Sequence, residues 1–301
     1  MIRLTIRQME YFDALAQTLH FGRAAELAGV SQPALSAQIA EMEQRLGCRL
    51  FERSGRSVRM TPEAERLRGR IERVLSEVSE IQASATQGSD SMGQRFRLGL
   101  IPTVAPYLLP TILPEFRQRF PTLQIELKEA VTASLAEDAL GGRLEAFVAA
   151  LPLDYPGLVT EELFTDRFFL AVSAREPKLV APPIPPESPI LERLMLLEEG
   201  HCLREQALAV CGSVRPMALA SYGATSLTTL LQMVSHGLGV TLIPEIALKS
   251  SAGIADLRVV PFADPAPERR ICLAWRRNSV RQRNCAAVAE LIRSLHARSS
   301  A

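Results

Sequence analysis

"FGRAAELAGVSQPALSAQIAEMEQRLGCRLFER", residues 21–53, decides the kind of fold with which this chain begins. Its apolar residues recur at helical spacing in two runs separated by a short break. Gly29 is placed to end the first helix, because glycine adopts the left-handed C-terminal conformation without a Cβ penalty. Ser31 is a good N-cap for the second helix, and Pro33 falls in its first turn, where a missing N–H costs little. Small Ala25 and Gly29 permit close approach of the two helices, and Leu35, Ile39 and Met42 share a face that points to a core. Ser31, Gln32, Ser36 and Gln38 make the first turns of the second helix polar. A helix that enters the major groove of DNA needs this combination of polar opening turns and an apolar back.

Four arginines follow. Arg49, Arg53, Arg56 and Arg59 crowd eleven residues that hold a single acid, Glu52. Arginines in the "RSGRS" turn suit contacts to phosphates beside a duplex. The formal net charge is only +1, so the case for nucleic acid rests on this local cluster. The blander alternative is a solvated helix face followed by a basic hairpin. The candidate DNA contacts are Ser31, Gln32, Pro33, Ser36, Gln38, Arg53 and Arg56.

Beyond this head, residues 61–87 have a helical pattern in which Leu67, Ile71, Val74, Val78 and Ile81 form a heptad seam. A seam predicts a partner helix, although Gly69 weakens the element. "QGSDSMGQ", residues 87–94, is polar and small, as a linker would be. After residue 95 the texture turns α/β, with strands expected in "FRLGLI", "LQIELKEA", "LEAFVAAL", "FFLAVSA" and "RRICLAWRR". "LPTILPEFRQRFP" reads as a helix, "ATSLTTLLQMVSHGLGVTLIPEIAL" as helix, glycine turn and strand, and 280–297 as a closing helix. Alternation of strands and helices predicts parallel sheets. "VAPPIPPESP", residues 180–189, predicts a rigid surface loop. No stretch of 18 apolar residues occurs, and the N-terminal helix pattern lacks the apolar run and cleavage site of a signal peptide. A cytoplasmic protein with reduced thiols and no membrane partner is expected.

The stretch quoted at the outset resembles the winged helix–turn–helix of the LysR-type transcriptional regulators. The pattern is AA-x-x-L, SQPALS-x-QI, LG-x-x-LF-x-R, followed by a Thr-initiated linker helix. Met42 and Glu65 depart from it, and neither lies in the opening turns of the second helix. The resemblance implies a multidomain α/β protein: a winged helix–turn–helix (1–62), a dimerising linker helix and hinge (63–94), and a regulatory domain (95–301). That last part would have two lobes, like a periplasmic binding protein, with lobe I at 95–165 and 270–301 and lobe II at 166–269. It further implies binding to double-stranded promoter DNA, a homodimer assembling to a homotetramer, contact with RNA polymerase and no enzymatic activity.

One motif demands separate treatment. "EEGHCLREQALAVCGS", residues 198–213, holds Cys202 and Cys211. On residue type alone they are buried inert thiols or a redox pair. Zinc is disfavoured, because the spacing fits no common ligand pattern and only His201 lies near. If one helix ran through both, their Cα atoms would stand roughly 13–14 Å apart, against about 4.4–6.8 Å for a disulfide. Bonding would therefore rebuild the segment. His201 and Arg204 flank Cys202, and a nearby cation favours the reactive thiolate. Cys211, in apolar "ALAVC", has the less activating setting. The segment also resembles the sensor segment of the peroxide-responsive activators within the LysR family, as do "GLIPTVAPYLLP", "EAVT" and "ATSLTTL". That resemblance implies a reversible Cys202–Cys211 disulfide, Cys202 reacting with hydrogen peroxide and Cys211 resolving, reset by a cellular thiol reductant. It implies a peroxide site of Thr103, Thr132, His201, Arg204 and Arg269, with no cofactor and no metal. From the residues themselves, Thr103 and Thr132 serve equally well as helix caps, and Arg269 as half of a surface ion pair. Cys48 and Cys272 read as core and Cys285 as helix packing. A LysR-type regulator responding to a small organic acid between the lobes is the alternative. A thiol peroxidase finds no thioredoxin-like pattern in support.

Overall fold

The computed structural model describes residues 4–54, 57–86, 95–175, 182–185, 188–211 and 224–300. The chain divides into two compact units, residues 1–91 with 141–143, and residues 92–140 with 144–301.

The first unit is built from α1 (Ile6–Thr18), α2 (Phe21–Leu27), α3 (Gln32–Leu46), a hairpin of β1 (Phe51–Ser54) and β2 (Ser57–Met60), and α4 (Pro62–Thr86). Gly29 has φ +65° and closes α2, as its position predicts. Ser31 caps α3, its hydroxyl accepting from the Ala34 N–H at 3.4 Å. Leu35, Ile39 and Met42 are buried with Phe12, Leu15 and Leu50 in one core. The start of α4 is capped by Thr61, whose Oγ1 accepts from the Ala64 N–H at 3.2 Å and donates to the Arg49 carbonyl at 2.8 Å.

The heptad seam is corrected. Ile71 is buried and Leu67 is packed against the helix–turn–helix core, so the first part of the seam is spent within its own unit. The exposed apolar positions come later, with Val74 at 40% and Ile81 at 66%. Periodicity reports that a face is apolar, not which neighbour covers it.

The second unit contains β3 (Arg95–Leu100), α5 (Ala105–Arg119), β4 (Gln124–Glu129), α6 (Thr132–Leu140), β5 (Ala146–Ala150), β6 (Leu158–Ser173), α7 (Cys202–Cys211), α8 (Leu227–Ser235), β7 (Thr241–Pro244), α9 (Leu248–Ser251), β8 (Leu257–Pro261), β9 (Glu268–Arg276) and α10 (Gln282–Ser300). Strand order is β4-β3-β5-β9-β6-β7, with β8 also on β6. Among the described strands, β3–β4 and β3–β5 pair in parallel, and the pairings of β6 and β9 are antiparallel. The expectation of parallel sheets therefore holds only for β3, β4 and β5. Two long strands return past each other, and alternation of elements along the chain does not reveal such returns.

Two apolar cores share this unit. Leu158, Leu163 and Phe164 of β6 enter one, together with Ile271 and Leu273 of β9. Phe168, Leu170 and Val172, further along β6, enter the other with Leu227, Leu231 and Val260. Gly99 lets the β3 backbone pass under α6, since a Cβ there would stand 2.7 Å from Leu135 Cδ2. The "GLGV" stretch is the α8–β7 turn, with Gly237 at φ +81°. The proline-rich patch is only partly as expected. Residues 180, 181, 186 and 187 lie outside the described residues, whereas Ile184 is buried and bridges to Phe262. An apolar residue inside a proline run is drawn into the core by burial, whatever the backbone stiffness around it.

Candidate functional site: a thiol at the ends of parallel strands

In the parallel pair β3–β4, Leu100 stands beside Glu129. Three residues beyond each lie Thr103 and Thr132, so both candidate threonines emerge side by side from the carboxyl ends of adjacent parallel strands. Such ends leave an open crevice for ligands.

Neither threonine caps a helix. Thr103 precedes α5, whose N-cap position, Val104, makes no side-chain bond. The Thr103 side chain is buried instead, its Oγ1 accepting from Arg269 Nη1 at 3.0 Å while its carbonyl accepts from Nη2 at 3.2 Å. Thr132 is the first residue of α6, and its buried Oγ1 has no hydrogen-bond partner.

Arg269 is not a surface residue. Its side chain is 0% exposed and faces Asp166, itself 1% exposed. Nε donates to Asp166 Oδ2 at 2.9 Å, and Nη2 lies 2.8 Å from the same oxygen. The other carboxylate oxygen, Oδ1, accepts from the Ile246 N–H at 3.1 Å. Asp166 and Arg269 are register partners on β6 and β9. Sequence reasoning missed Asp166. It is the one acid in "LFTDRFFLAV", beside Arg167 in an otherwise largely apolar run, and that placement is the one signal that points to it.

Cys202 opens α7 as a free, half-buried thiol packed against the first core. Burial pushes its thiol up; the Arg269 charge, a hydrogen bond with Thr103 and the Leu203 N–H pull it back down without cancelling the burial. The cation acting on the sulfur is thus Arg269, distant in sequence, rather than its flanking residues. Arg204 donates from Nη1 to the Leu197 carbonyl at 3.0 Å, closing the turn before α7. Burial lowers the His201 pKa against the opposing pull of Glu198 and Glu129, which keeps the imidazole neutral at pH 7. Its buried Nδ1, like Thr132 Oγ1, lacks a partner. Gly200, at φ +90°, brings this turn against Val131, 3.7 Å from where a Cβ would stand, and so beside Thr132. Buried polar atoms without partners are rare, and His201 and Thr132 each carry one.

One helix runs from Cys202 through Cys211. Nine residues of helical rise separate their Cα atoms by roughly 13–14 Å, beyond disulfide reach. The Cys211 side chain lies outside the described residues, as do the Arg53 side chain and the whole of Arg56. Cys272 and Cys285 are fully buried, and burial pushes each thiol up to about 12. Iodoacetamide at pH 8 is therefore expected to label Cys202 in the native protein while both of these stay unmodified. Equal labelling of all three, read by peptide mass spectrometry, would contradict that assignment.

In the first unit, Gln32, Pro33 and Ser31 are exposed at the start of α3, and Ser36 is half-buried. Gln38 is tied down: its Oε1 accepts from buried Gln8 at 3.3 Å and its Nε2 donates to Glu41 at 3.2 Å. Gln8 and Glu43 were not singled out by sequence, yet Glu43 Oε1 accepts from the Leu50 and Phe51 N–H groups at 2.7 and 3.1 Å, pinning the strand to the helix. Among the described residues, no cluster of histidine, cysteine and carboxylate groups could hold a metal, and no helix is long and apolar enough to cross a membrane.

Two family models match this chain. The model "Bacterial regulatory helix-turn-helix protein, lysR family" covers residues 6–65 and "LysR substrate binding domain" covers residues 89–297. The chain belongs to the LysR family. Among relatives of this LysR-family chain, the "Probable hydrogen peroxide-inducible genes activator" of Streptomyces viridosporus is 41% identical, over 98% of this chain and 96% of the relative. The "DNA-binding transcriptional dual regulator OxyR" of Escherichia coli K12 is 37% identical, over 97% and 95%. A full-length OxyR structure from Pseudomonas aeruginosa, carrying a cysteine substitution, superposes with TM-score 0.79 at 33% identity, covering 97% of this chain and 98% of that one. A cysteine variant of Corynebacterium glutamicum OxyR, solved with hydrogen peroxide bound, gives TM-score 0.68 at 30% identity, covering 99% and 94%.

Proposed function

We propose that this LysR-family chain is a hydrogen-peroxide-responsive regulator of oxidative-stress genes, acting on promoter DNA in the cytoplasm. One observation carries the reading: Cys202 sits at the head of a helix among Thr103, Thr132, His201 and Arg269, which offer both bound and unfilled hydrogen-bonding groups. The Cys202 thiolate attacks one peroxide oxygen, the O–O bond breaks, and the leaving hydroxide takes up a proton as water. Sulfur is oxidised to sulfenic acid and peroxide is reduced. The Cys211 thiolate then attacks the sulfenic sulfur, the S–O bond breaks, and the leaving hydroxide takes up a proton as water, which forms the disulfide. Because α7 holds the two residues roughly 13–14 Å apart, that bond forms only as the helix unwinds. The local chemistry thereby becomes a conformational switch. A cellular thiol reductant reverses it and resets the switch.

On the DNA side, the exposed start of α3, with Ser31, Gln32, Pro33 and Ser36, suits the major groove, and Arg53 and Arg56 suit flanking phosphates. The chain divides at 1–62, 63–94 and 95–301, and a change of lobe near 165 and 270 is supported by the two separate cores met along β6. A homodimer through the exposed apolar side chains of α4 and α1, Val74, Ile81 and Ile6, would assemble to a tetramer that engages RNA polymerase. The rival, a cleft-bound organic anion as trigger, is disfavoured because the buried cation Arg269 is already neutralised by Asp166. Mass spectrometry of the thiols before and after a brief peroxide pulse, with DNA footprinting on the same samples, tests the proposal. A Cys202–Cys211 disulfide together with an altered footprint is expected. Thiols that stay reduced while the footprint responds to an organic anion would favour the rival.

A further inference from the structure

Asp166 touches neither the sulfur nor the two unfilled polar atoms, yet it determines where the Arg269 guanidinium can lie. Its Oδ2 takes Nε and sits 2.8 Å from Nη2, while its Oδ1 is fixed by the Ile246 N–H, so the carboxylate cannot rotate without losing a partner. Phe168 stacks over the guanidinium, 5.7 Å from ring centroid to Cζ, and closes a third side. Held in this way, Nη1 points at Thr103 Oγ1 and donates to it at 3.0 Å. A hydroxyl that accepts from an arginine must turn its own proton elsewhere, because the guanidinium cannot accept. The Arg269 charge and the Thr103 hydroxyl both pull the Cys202 thiol down against burial, so the network held by Asp166 acts on that sulfur.

We propose that Asp166 is a positioning residue for the sensing thiol, fixing Arg269 so that the Thr103 hydroxyl proton is aimed at the Cys202 sulfur. The direction of donation runs from arginine to threonine to sulfur and favours the thiolate over the thiol. The proposal rests on Cys202 being the reacting thiol, and it makes a prediction opposite in sign to simple charge counting. Removing a carboxylate from beside Arg269 would, by charge alone, strengthen the positive field at Cys202 and make the thiol more acidic. Loss of positioning makes it less acidic.

The test is the pH profile of iodoacetamide labelling at the Cys202 peptide, in the full-length chain, for wild type, Asp166→Asn, Asp166→Glu and Thr103→Val. Asp166→Asn is expected to slow labelling at pH 7.5 about tenfold, the effect of one pKa unit, and to move the profile to higher pH. Asp166→Glu should recover part of the rate, and Thr103→Val should slow labelling by a similar factor. Asp166→Asn combined with Thr103→Val should cost little more than either alone, since both act on one bond. Faster labelling in a folded Asp166→Asn protein, or additive losses in the double variant, would overturn the proposal. Should Asp166→Asn fail to fold, an unchanged profile in Thr103→Val overturns it by itself. Because iodoacetamide replaces peroxide in this assay, a wild-type Cys202 inert to peroxide but sensitive to Asp166→Asn would remove the proposed function and leave this inference standing.

Discussion

Replacing Cys202 by serine is expected to abolish the response to peroxide while specific DNA binding persists. A serine hydroxyl is not ionised near neutral pH and is no nucleophile toward peroxide, so the O–O bond stays intact and no sulfenic acid reaches Cys211. The substitution is otherwise mild. Serine is a favoured residue at the start of a helix, the position Cys202 holds in α7, and the first unit with its DNA-facing helix is a separate compact body. The measurement is a footprint on one promoter fragment with and without a peroxide pulse. The two lanes should be identical for Cys202→Ser and different for wild type. A peroxide-dependent footprint in the variant would end the assignment of this sulfur as the sensor.

Arg269→Met should have the largest effect on stability. It strands the Asp166 carboxylate, 1% exposed, in an apolar strand with only the Ile246 N–H for company. Breaking a buried pair from one side costs roughly 3–5 kcal/mol, because the remaining charge is neither solvated nor neutralised. Replacing both members, Arg269→Met with Asp166→Leu, should recover most of that loss, since well-packed apolar residues often replace a buried pair at little cost. Recovery will fall short by about 1–3 kcal/mol, because the Ile246 N–H is left without an acceptor. Urea denaturation of the three proteins reads these differences. Peroxide oxidation of Cys202 should remain slow in the stabilised double variant, separating the pair's chemical role from its structural one. Arg269→Met with wild-type stability would mean that water or a shifted side chain already compensates the carboxylate.

Several features of the site were legible in residue order because their causes are local. The helix-capping roles of Ser31 and Gly29 depend on a few neighbouring backbone groups. So does the continuity of the helix that separates Cys202 from Cys211, set by the good helix formers of "CLREQALA". The cation beside Cys202 was misassigned for the complementary reason. His201 and Arg204 are its neighbours in the chain, but burial holds one neutral and the other turns to the Leu197 carbonyl. Gln38 stands among the DNA-binding candidates by its place on α3, and only the fold shows that Gln8, thirty residues earlier, donates to it.

The sequence by itself thus determined the DNA-binding head, the linker helix, the change to α/β texture and the cysteine pair with its incompatible spacing. Capping, periodicity and helical rise act over a few residues, so their effects can be read in order along the chain. Tertiary structure alone decided which face of α4 is spent inside its own unit and which strands run antiparallel. It also decided that Asp166 holds Arg269 and that Arg269 in turn meets Thr103, 103 residues separating the first two and 166 the last two. The strength of a charge or hydrogen bond depends on distance through space and on the exclusion of water. Both are set only when β6 pairs with β9 and β3 with β4.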